Sequence, residues 1–387
     1  MLVVTAGACV DLGALEGGNA MDGRQATDAT SGDATRSETG SDASQDQQPT
    51  GPGEGGGSPD GPRQAGSCGT GTVPSHGASA VVARDAPGPT AIVTAAGYVY
   101  WTNGDSVHKA AETSRTSGAA APGTCVVASS SAPRTLNGLF ASATTDELLA
   151  FGSGPPAGGG PTADCCTFFG SPTETGECGL STSYSCIGWA NDGTNTFVAL
   201  SESPSMIDDL LFVGPVGVSD DLDTGTSLGQ GEGILPAMAA NDGTLYFATS
   251  GGAILSITTA GGASKTLATG QTGILAMATN GLDLYWLLST GVVLSMAIDS
   301  SIQPAPTTFA TVPSVTMGAS LYAGSFALYV TNGDDAVYAI VITTGYMSAL
   351  AKSQAQPRGV YVDTDETPKA VYWANFGDGT IMVAPAE

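Results

Sequence analysis

One pattern recurs along this chain and leaves few ways for it to fold. Val371-Tyr372-Trp373-Ala374-Asn375-Phe376-Gly377-Asp378-Gly379-Thr380-Ile381-Met382-Val383 reads as strand, tight turn, strand. Two apolar runs flank a Gly-Asp-Gly turn, which is hairpin chemistry. Weaker copies are Tyr98-Val99-Tyr100-Trp101-Thr102-Asn103-Gly104-Asp105, Leu245-Tyr246-Phe247-Ala248-Thr249-Ser250-Gly251-Gly252, Leu284-Tyr285-Trp286-Leu287-Leu288 and Leu328-Tyr329-Val330-Thr331-Asn332-Gly333-Asp334. Tyr246, Tyr285, Tyr329 and Tyr372 follow one another at 39, 44 and 43 residues, and Phe197, Ala150 and Tyr100 continue the series upstream at 49, 47 and 50. A unit of about 40–45 residues holding four short strands cannot bury its apolar face alone, and stacking such units around an axis makes a β-propeller. Seven markers predict an all-β, seven-bladed propeller over residues 67–387, with six and eight blades as the alternative counts.

One unit shows the internal order. Pro236-Ala237-Met238-Ala239-Ala240 is the innermost strand, small-residued because strands crowd near the axis. Asn241-Asp242-Gly243 supplies residues that tolerate positive φ. Residues 245–248, 253–257 and 265–268 follow as second, third and outer strands. The last unit stops after its third strand at residues 380–384, and Ser79-Ala80-Val81-Val82-Ala83 has no other partner. This early strand is expected to complete the last sheet and close the ring, removing an exposed edge. Trp101, Trp286 and Trp373 sit at equivalent places in second strands and are expected to pack between blades, with Trp189 packing from an inner strand.

Residues 10–66 hold almost no aromatic or branched apolar residues, so they cannot bury enough surface to offset ordering entropy; a disordered Gly/Ser/Asp/Pro-rich tether is expected. Charge points the same way throughout. The net value is −25, from 36 acidic and 11 basic residues. Such a surface repels phosphates, which excludes nucleic acid and direct attraction to an anionic membrane. A soluble monomer is expected.

The seven cysteines are Cys9, Cys68, Cys125, Cys165, Cys166, Cys178 and Cys186. The odd count leaves one for a separate task. Leu2-Val3-Val4-Thr5-Ala6-Gly7-Ala8-Cys9 resembles the end of a bacterial lipoprotein export signal, though a basic n-region is missing and the apolar run is short. The expectation is that residues 1–9 are the remnant of such a signal, whose natural start lies upstream. The resemblance implies lipidation at Cys9 and an envelope location, lipid-anchored at the outer membrane or surface, or else secretion. Residues 152–187 read as a cysteine-rich insertion, where Cys165, Cys166, Cys178 and Cys186 have no nearby His and no Cys-x-x-Cys step. Disulfides are expected there rather than zinc, with the pairing open, and Cys68 and Cys125 are left to join the N-terminal arm to the first blade.

The Tyr-Trp-Thr-Asn and Tyr-Trp-Ala-Asn steps ending at Asn103 and Asn375, with their Gly-Asp turns, resemble the YWTN-type repeat propellers of secreted proteins and lipoproteins from myxobacteria and related bacteria. They are more distantly similar to the YWTD propellers of lipoprotein-receptor ectodomains. The resemblance covers roughly residues 85–387 and implies fold more than chemistry. Propeller enzymes of the lactonase or lyase sort place acids, His or Asn where inner strands begin. The matching positions here are near Thr90, Asn137, Ile187, Pro236, Leu275, Gly318 and Arg358, and none is Asp, Glu or His. His76 and His108 are the sole histidines, and neither lies in a nucleophile–base arrangement. The Asn-Gly-Asp and Gly-Asp-Gly turns read as turns needing positive φ rather than calcium loops. The expectation is therefore a non-enzymatic propeller without catalytic residue, cofactor or metal, binding a protein or glycan through one face and touching a membrane only through a lipid. The alternatives are a lactonase- or hydrolase-like enzyme and a structural envelope spacer.

Overall fold

Alternating small, branched and aromatic residues between Gly/Asn/Asp turns make short antiparallel strands throughout. The computed structural model describes residues 79–111, 125–129, 135–141, 148–154, 164–168, 184–202, 209–215, 226–298, 304–363 and 369–386, apart from positions 85, 87, 96, 105 and 232. Every regular element among them is a strand. The first is β1 (Ala80–Ala83). The first full sheet is β2 (Pro89–Ala95), β3 (Tyr98–Asn103), β4 (Ser106–Ala111) and β5 (Cys125–Ser129); the next is β6 (Thr135–Ala141), β7 (Leu148–Gly154) and β8 (Asp164–Phe168). Then come β9 (Tyr184–Asn191), β10 (Asn195–Glu202), β11 (Asp209–Pro215) and β12 (Thr226–Gly231), followed by β13 (Ile234–Asn241), β14 (Thr244–Thr249), β15 (Ile254–Thr258) and β16 (Lys265–Ala268). The chain continues with β17 (Ile274–Thr279), β18 (Asp283–Leu288), β19 (Val292–Ala297) and β20 (Thr307–Thr311), then β21 (Ser320–Ala323), β22 (Ala327–Thr331), β23 (Val337–Val341) and β24 (Met347–Ala351). It ends with β25 (Pro357–Asp363), β26 (Ala370–Asn375) and β27 (Thr380–Pro385). The arrangement is propeller-like: successive up-and-down sheets most of whose first strands lie against one another.

All seven aromatic or small markers fall in second strands, from Tyr100 in β3 to Tyr372 in β26. β1 pairs with β27, Ala80 opposite Val383 and Val81 opposite Met382, so the early strand does lie on the last sheet. The apolar core sits between neighbouring sheets. Trp286, Tyr246 and Ile254 share one cluster, Tyr285 packs with Leu321 and Val330 in another, and Trp373 with Tyr322 and Tyr329 in a third. A further cluster joins Ile92 and Trp101 of the first sheet to Tyr372 and Ile381 of the last. Trp101, Trp286 and Trp373 are completely buried, and Trp189 nearly so.

Most first strands carry a bulge close to their start. The register slips between Pro89 and Ile92, Leu136 and Gly138, Ile234 and Met238, Ile274 and Ala276, and Arg358 and Val360. A bulge bends a strand and re-aims the side chains at it. Thr90, Asn137, Pro236, Leu275 and Arg358 lie at these bulges.

The cysteine-rich stretch is less of an insertion than expected. β7 runs on to Gly154, residues 164–168 form β8, and β9 already begins at Tyr184. Cys165 and Cys166 thus stand in a sheet, opposite Ser153 and Gly152. A strand periodicity was hidden there because a Gly/Pro-rich sequence precedes it and the cysteines dominate its short run.

Candidate functional site

The described sheets present two ends. At one end first strands begin and second strands turn into third strands. At the other lie the turns from first to second strand and from third to fourth.

Arg358 is the charged side chain at the first end's strand beginnings. It sits opposite Ala374 in β26, so Phe376, two residues further on, falls on the same side of the sheet. The guanidinium carbon stands 3.6 Å from the centre of the Phe376 ring, a cation–π stack. Gly318 lies close beside it: a Cβ added there would meet Arg358 Nε at 2.8 Å. Gly88, at φ +68°, lies beneath the ring, where a Cβ would meet Phe376 at 3.1 Å. Two glycines therefore leave room for one arginine and one phenylalanine. Arg358 Nε is buried and has no hydrogen-bond partner among the described residues. Burial lowers the arginine's pKa. The remaining strand beginnings are uncharged: Thr90 bonds Thr102 Oγ1 at 2.9 Å and the Leu136 carbonyl at 3.2 Å, while Ile187, Leu235 and Leu275 are apolar.

At this end the oxygens of Asn332 and Asp378 serve their own turns, while Asn375 Oδ1 is buried without a partner among the described residues. Asn332 Oδ1 accepts the backbone N–H groups of Asp334, Asp335 and Ala336 at 2.9–3.0 Å, with Gly333 at φ +74°. Asp378 Oδ1 accepts from Thr380 N at 3.1 Å and Thr380 Oγ1 at 2.8 Å. Beneath the turn, Gln354 Oε1 accepts from Trp373 Nε1 and Asn375 Nδ2, both at 3.0 Å. Among the described residues no three His, Cys, Asp or Glu side chains gather as metal ligands.

The opposite end is apolar where it meets solvent. Leu282 is 67% exposed in the β17–β18 turn, Phe326 is 74% exposed in the β21–β22 turn, and Tyr346 is 68% exposed in the β23–β24 turn. All three belong to two neighbouring sheets, whose first strands touch. The Phe326 carbonyl accepts from Ile342 N and the Tyr346 carbonyl from Val341 N, which places the two aromatic residues on adjacent positions of one ladder end. Asp242 is exposed and Asp283 half-buried on the turns alongside. Asp283 Oδ2 accepts from Tyr285 Oη at 3.3 Å; burial first, then this carboxylate, raises the Tyr285 pKa. Large apolar side chains at turn tips were not singled out from the sequence, because one apolar residue in a polar turn looks like strand drift.

Of the sequence candidates, Cys9, Cys68 and Cys178 lie outside the described residues, as does His76. Cys125 begins β5 opposite Lys109, and Cys186 in β9 stands opposite Leu200. His108 in β4 stacks on Trp101 at 5.9 Å between ring centres, with Asn103 Nδ2 3.4 Å from its Nε2, so it belongs to the packing of the first sheet.

No protein-family model matches the chain, and no curated protein matches it. Solved structures do. The computationally designed Ika8 protein is 10% identical, with a TM-score of 0.51 over 79% of this chain and 98% of that one. A chain of a nidogen/laminin complex is 11% identical, with a TM-score of 0.43 over 66% of this chain and 95% of that one. A puromycin-hydrolysing peptidase from Mycobacterium tuberculosis is 15% identical, with a TM-score of 0.49 over 74% of this chain and 50% of that one. At such identities the likeness is one of fold, and a fold of this kind carries many chemistries.

Proposed function

We propose that the chain is a seven-bladed β-propeller acting as a non-enzymatic binding module, and that it docks a protein partner on the end bearing Leu282, Phe326 and Tyr346. The ring reading is supported by the contacts of first strands from sheet to sheet, by the core cluster joining the first sheet to the last, and by the β1–β27 pairing. The observation that carries the function is the exposure of three large apolar side chains on one end of two adjacent sheets. Isolated exposed apolar residues are ordinary, but three grouped at turn tips mark an interaction surface. Asp242 and Asp283 beside them, in a chain of net charge −25, fit a partner with an apolar pocket and a basic rim. Hydrolysis is the weaker reading, since the described strand beginnings offer Thr90, Ile187, Leu235, Leu275, Gly318 and Arg358 and no carboxylate or imidazole.

The same proposal places the protein at the bacterial cell envelope, tethered through residues 10–66 by a lipid on Cys9, with the cysteines at 68, 125, 165, 166, 178 and 186 in disulfides. Intact-mass measurement of the natively expressed protein before and after reduction reads both points. The docking surface is tested with a Leu282→Ser/Phe326→Ser/Tyr346→Ser variant of the full chain. Envelope protein retained by the wild type and lost by the folded variant is the expected result. Equal retention by both, or retention of a glycan fraction alone, overturns the protein-docking reading.

A further inference from the structure

A second surface, at the other end of the sheets and independent of the docking face, has sharper chemistry. Arg358 is a cation with no charged partner among the described residues. No described side chain gives it a hydrogen bond or an ion pair, although acids outnumber bases 36 to 11 in the chain. In so acidic a protein an arginine that merely needed a partner would have many to choose from. Instead its plane is held: Phe376 covers one face at 3.6 Å, and a Cβ added at Gly318 would meet Nε at 2.8 Å. A guanidinium locked by stacking keeps its N–H fork pointed one way and loses little entropy when it binds.

We infer that Arg358, stacked on Phe376 in the Gly318–Gly88 slot, is the anchor of a binding site for a monocarboxylate with an apolar body. A planar fork of N–H donors matches a carboxylate through two parallel hydrogen bonds. One unpaired positive charge matches one negative charge. A dianion is disfavoured by the surroundings: the exposed Asp334 and Asp335 turn leans on the segment leading to Arg358, through Gln356 N to the Asp334 carbonyl at 3.0 Å and Gln354 N to the Asp335 carbonyl at 2.8 Å. Asp378, also exposed, sits on the Phe376 turn. The apolar body is called for by Met317, 68% exposed and next in sequence to Gly318, and by the uncharged strand beginnings.

The probe is 4-fluorobenzoate, titrated into the full chain at low ionic strength and followed by fluorine NMR. The neutral analogue 4-fluorobenzamide and inorganic phosphate run beside it. Saturable binding of the benzoate is expected. Arg358→Gln should weaken it roughly 10- to 100-fold, the loss of a charge-assisted pair. Arg358→Lys, which keeps the charge and loses the fork, should fall between, and Phe376→Leu should weaken binding while leaving the charge in place. The benzamide should bind wild type as poorly as the benzoate binds Arg358→Gln. Removing a buried Nε that lacks a partner should not lower the melting temperature. If the glutamine variant nevertheless fails to fold, the benzoate–benzamide difference on wild type and the lysine variant decide the matter. The site is overturned if the benzoate does not bind, if it binds Arg358→Gln or benzamide binds wild type equally well, or if phosphate displaces it at a lower concentration than unlabelled benzoate does.

Discussion

Gln354 offers a measurable test of how these sheets are held. Its Oε1 accepts from Trp373 Nε1 and from Asn375 Nδ2, each at 3.0 Å. Trp373 is wholly buried and has this one acceptor; Asn375 Nδ2 keeps a second, Thr380 Oγ1 at 2.9 Å. Gln354→Ala therefore strands one buried donor and weakens another. A donor left without an acceptor costs about 1–3 kcal/mol, and a lost bond whose donor keeps a partner about 0.5–1.5 kcal/mol. Because Gln354 is half-buried, water reaches part of the vacated space, and a loss of about 2 kcal/mol is expected. The fold contains its own controls. Gln271 accepts from Trp286 Nε1 at 3.2 Å and serves no asparagine, so Gln271→Ala should cost about 1 kcal/mol. In the first sheet the same position relative to the tryptophan is Ala86, and Trp101 Nε1 has no partner among the described residues. Urea denaturation followed by tryptophan fluorescence and by circular dichroism reads the order wild type, Gln271→Ala, Gln354→Ala in falling midpoint. Equal midpoints for both variants, or a smaller effect at Gln354 than at Gln271, would refute the reasoning.

Two further outcomes follow from the same geometry. Asp192 is 5% exposed and accepts from Thr194 N and Asn195 N in its own turn, and through Oδ2 from Gly243 N of the next sheet. Asp192→Asn keeps the turn and loses the link between sheets, so about 1–2 kcal/mol should go in urea denaturation, while Asp192→Ala should lose more, about 3 kcal/mol or above. Burial and Asp283 raise the Tyr285 pKa above the ordinary 10.0. The folded state thus favours the protonated phenol. Its contribution is complete below pH 10 and is lost as the pH climbs beyond that value, and Tyr285→Phe should flatten the alkaline fall in melting temperature relative to wild type.

The succession of strands was legible because its signals are local. Period-two alternation, a Tyr-Trp step and a Gly-Asp turn lie within a dozen residues, and each recurrence strengthens the others. The marker in β26 and its counterpart in β3 identify their strands because each stands in the same Val-Tyr-Trp-x-Asn step. β1 was legible for a different reason: the last unit lacked an outer strand and residues 79–83 lacked a partner, so edge satisfaction joined the two. β8 escaped because its five residues follow a sequence rich in Gly and Pro and include two cysteines, which read as bridge chemistry before they read as strand.

The site is another matter, since what makes Arg358 distinctive is distributed over four separate stretches. The sequence places it at a strand beginning and no more. Phe376 looks like turn padding, and Gly88 and Gly318 look like two glycines among 55. Only the β25–β26 register sets the ring over the guanidinium, and only the approach of the β21 strand beginning makes glycine necessary at 318. The same holds at the other end, where Leu282, Phe326 and Tyr346 are each unremarkable until two sheets bring their turns together. Repetition fixes the scaffold and carries no information about function. The departures from repetition carry it: a lone arginine where other units have uncharged residues, and apolar tips on two sheets where the β9–β10 and β13–β14 turns carry Asp192 and Asp242. A variant that restores the repeat at those positions, Arg358→Leu or Phe326→Asp, should therefore leave the sheets intact and remove one binding activity at a time. If either change unfolded the chain instead, the departures would be part of the scaffold, and the division between framework and site drawn here would fail.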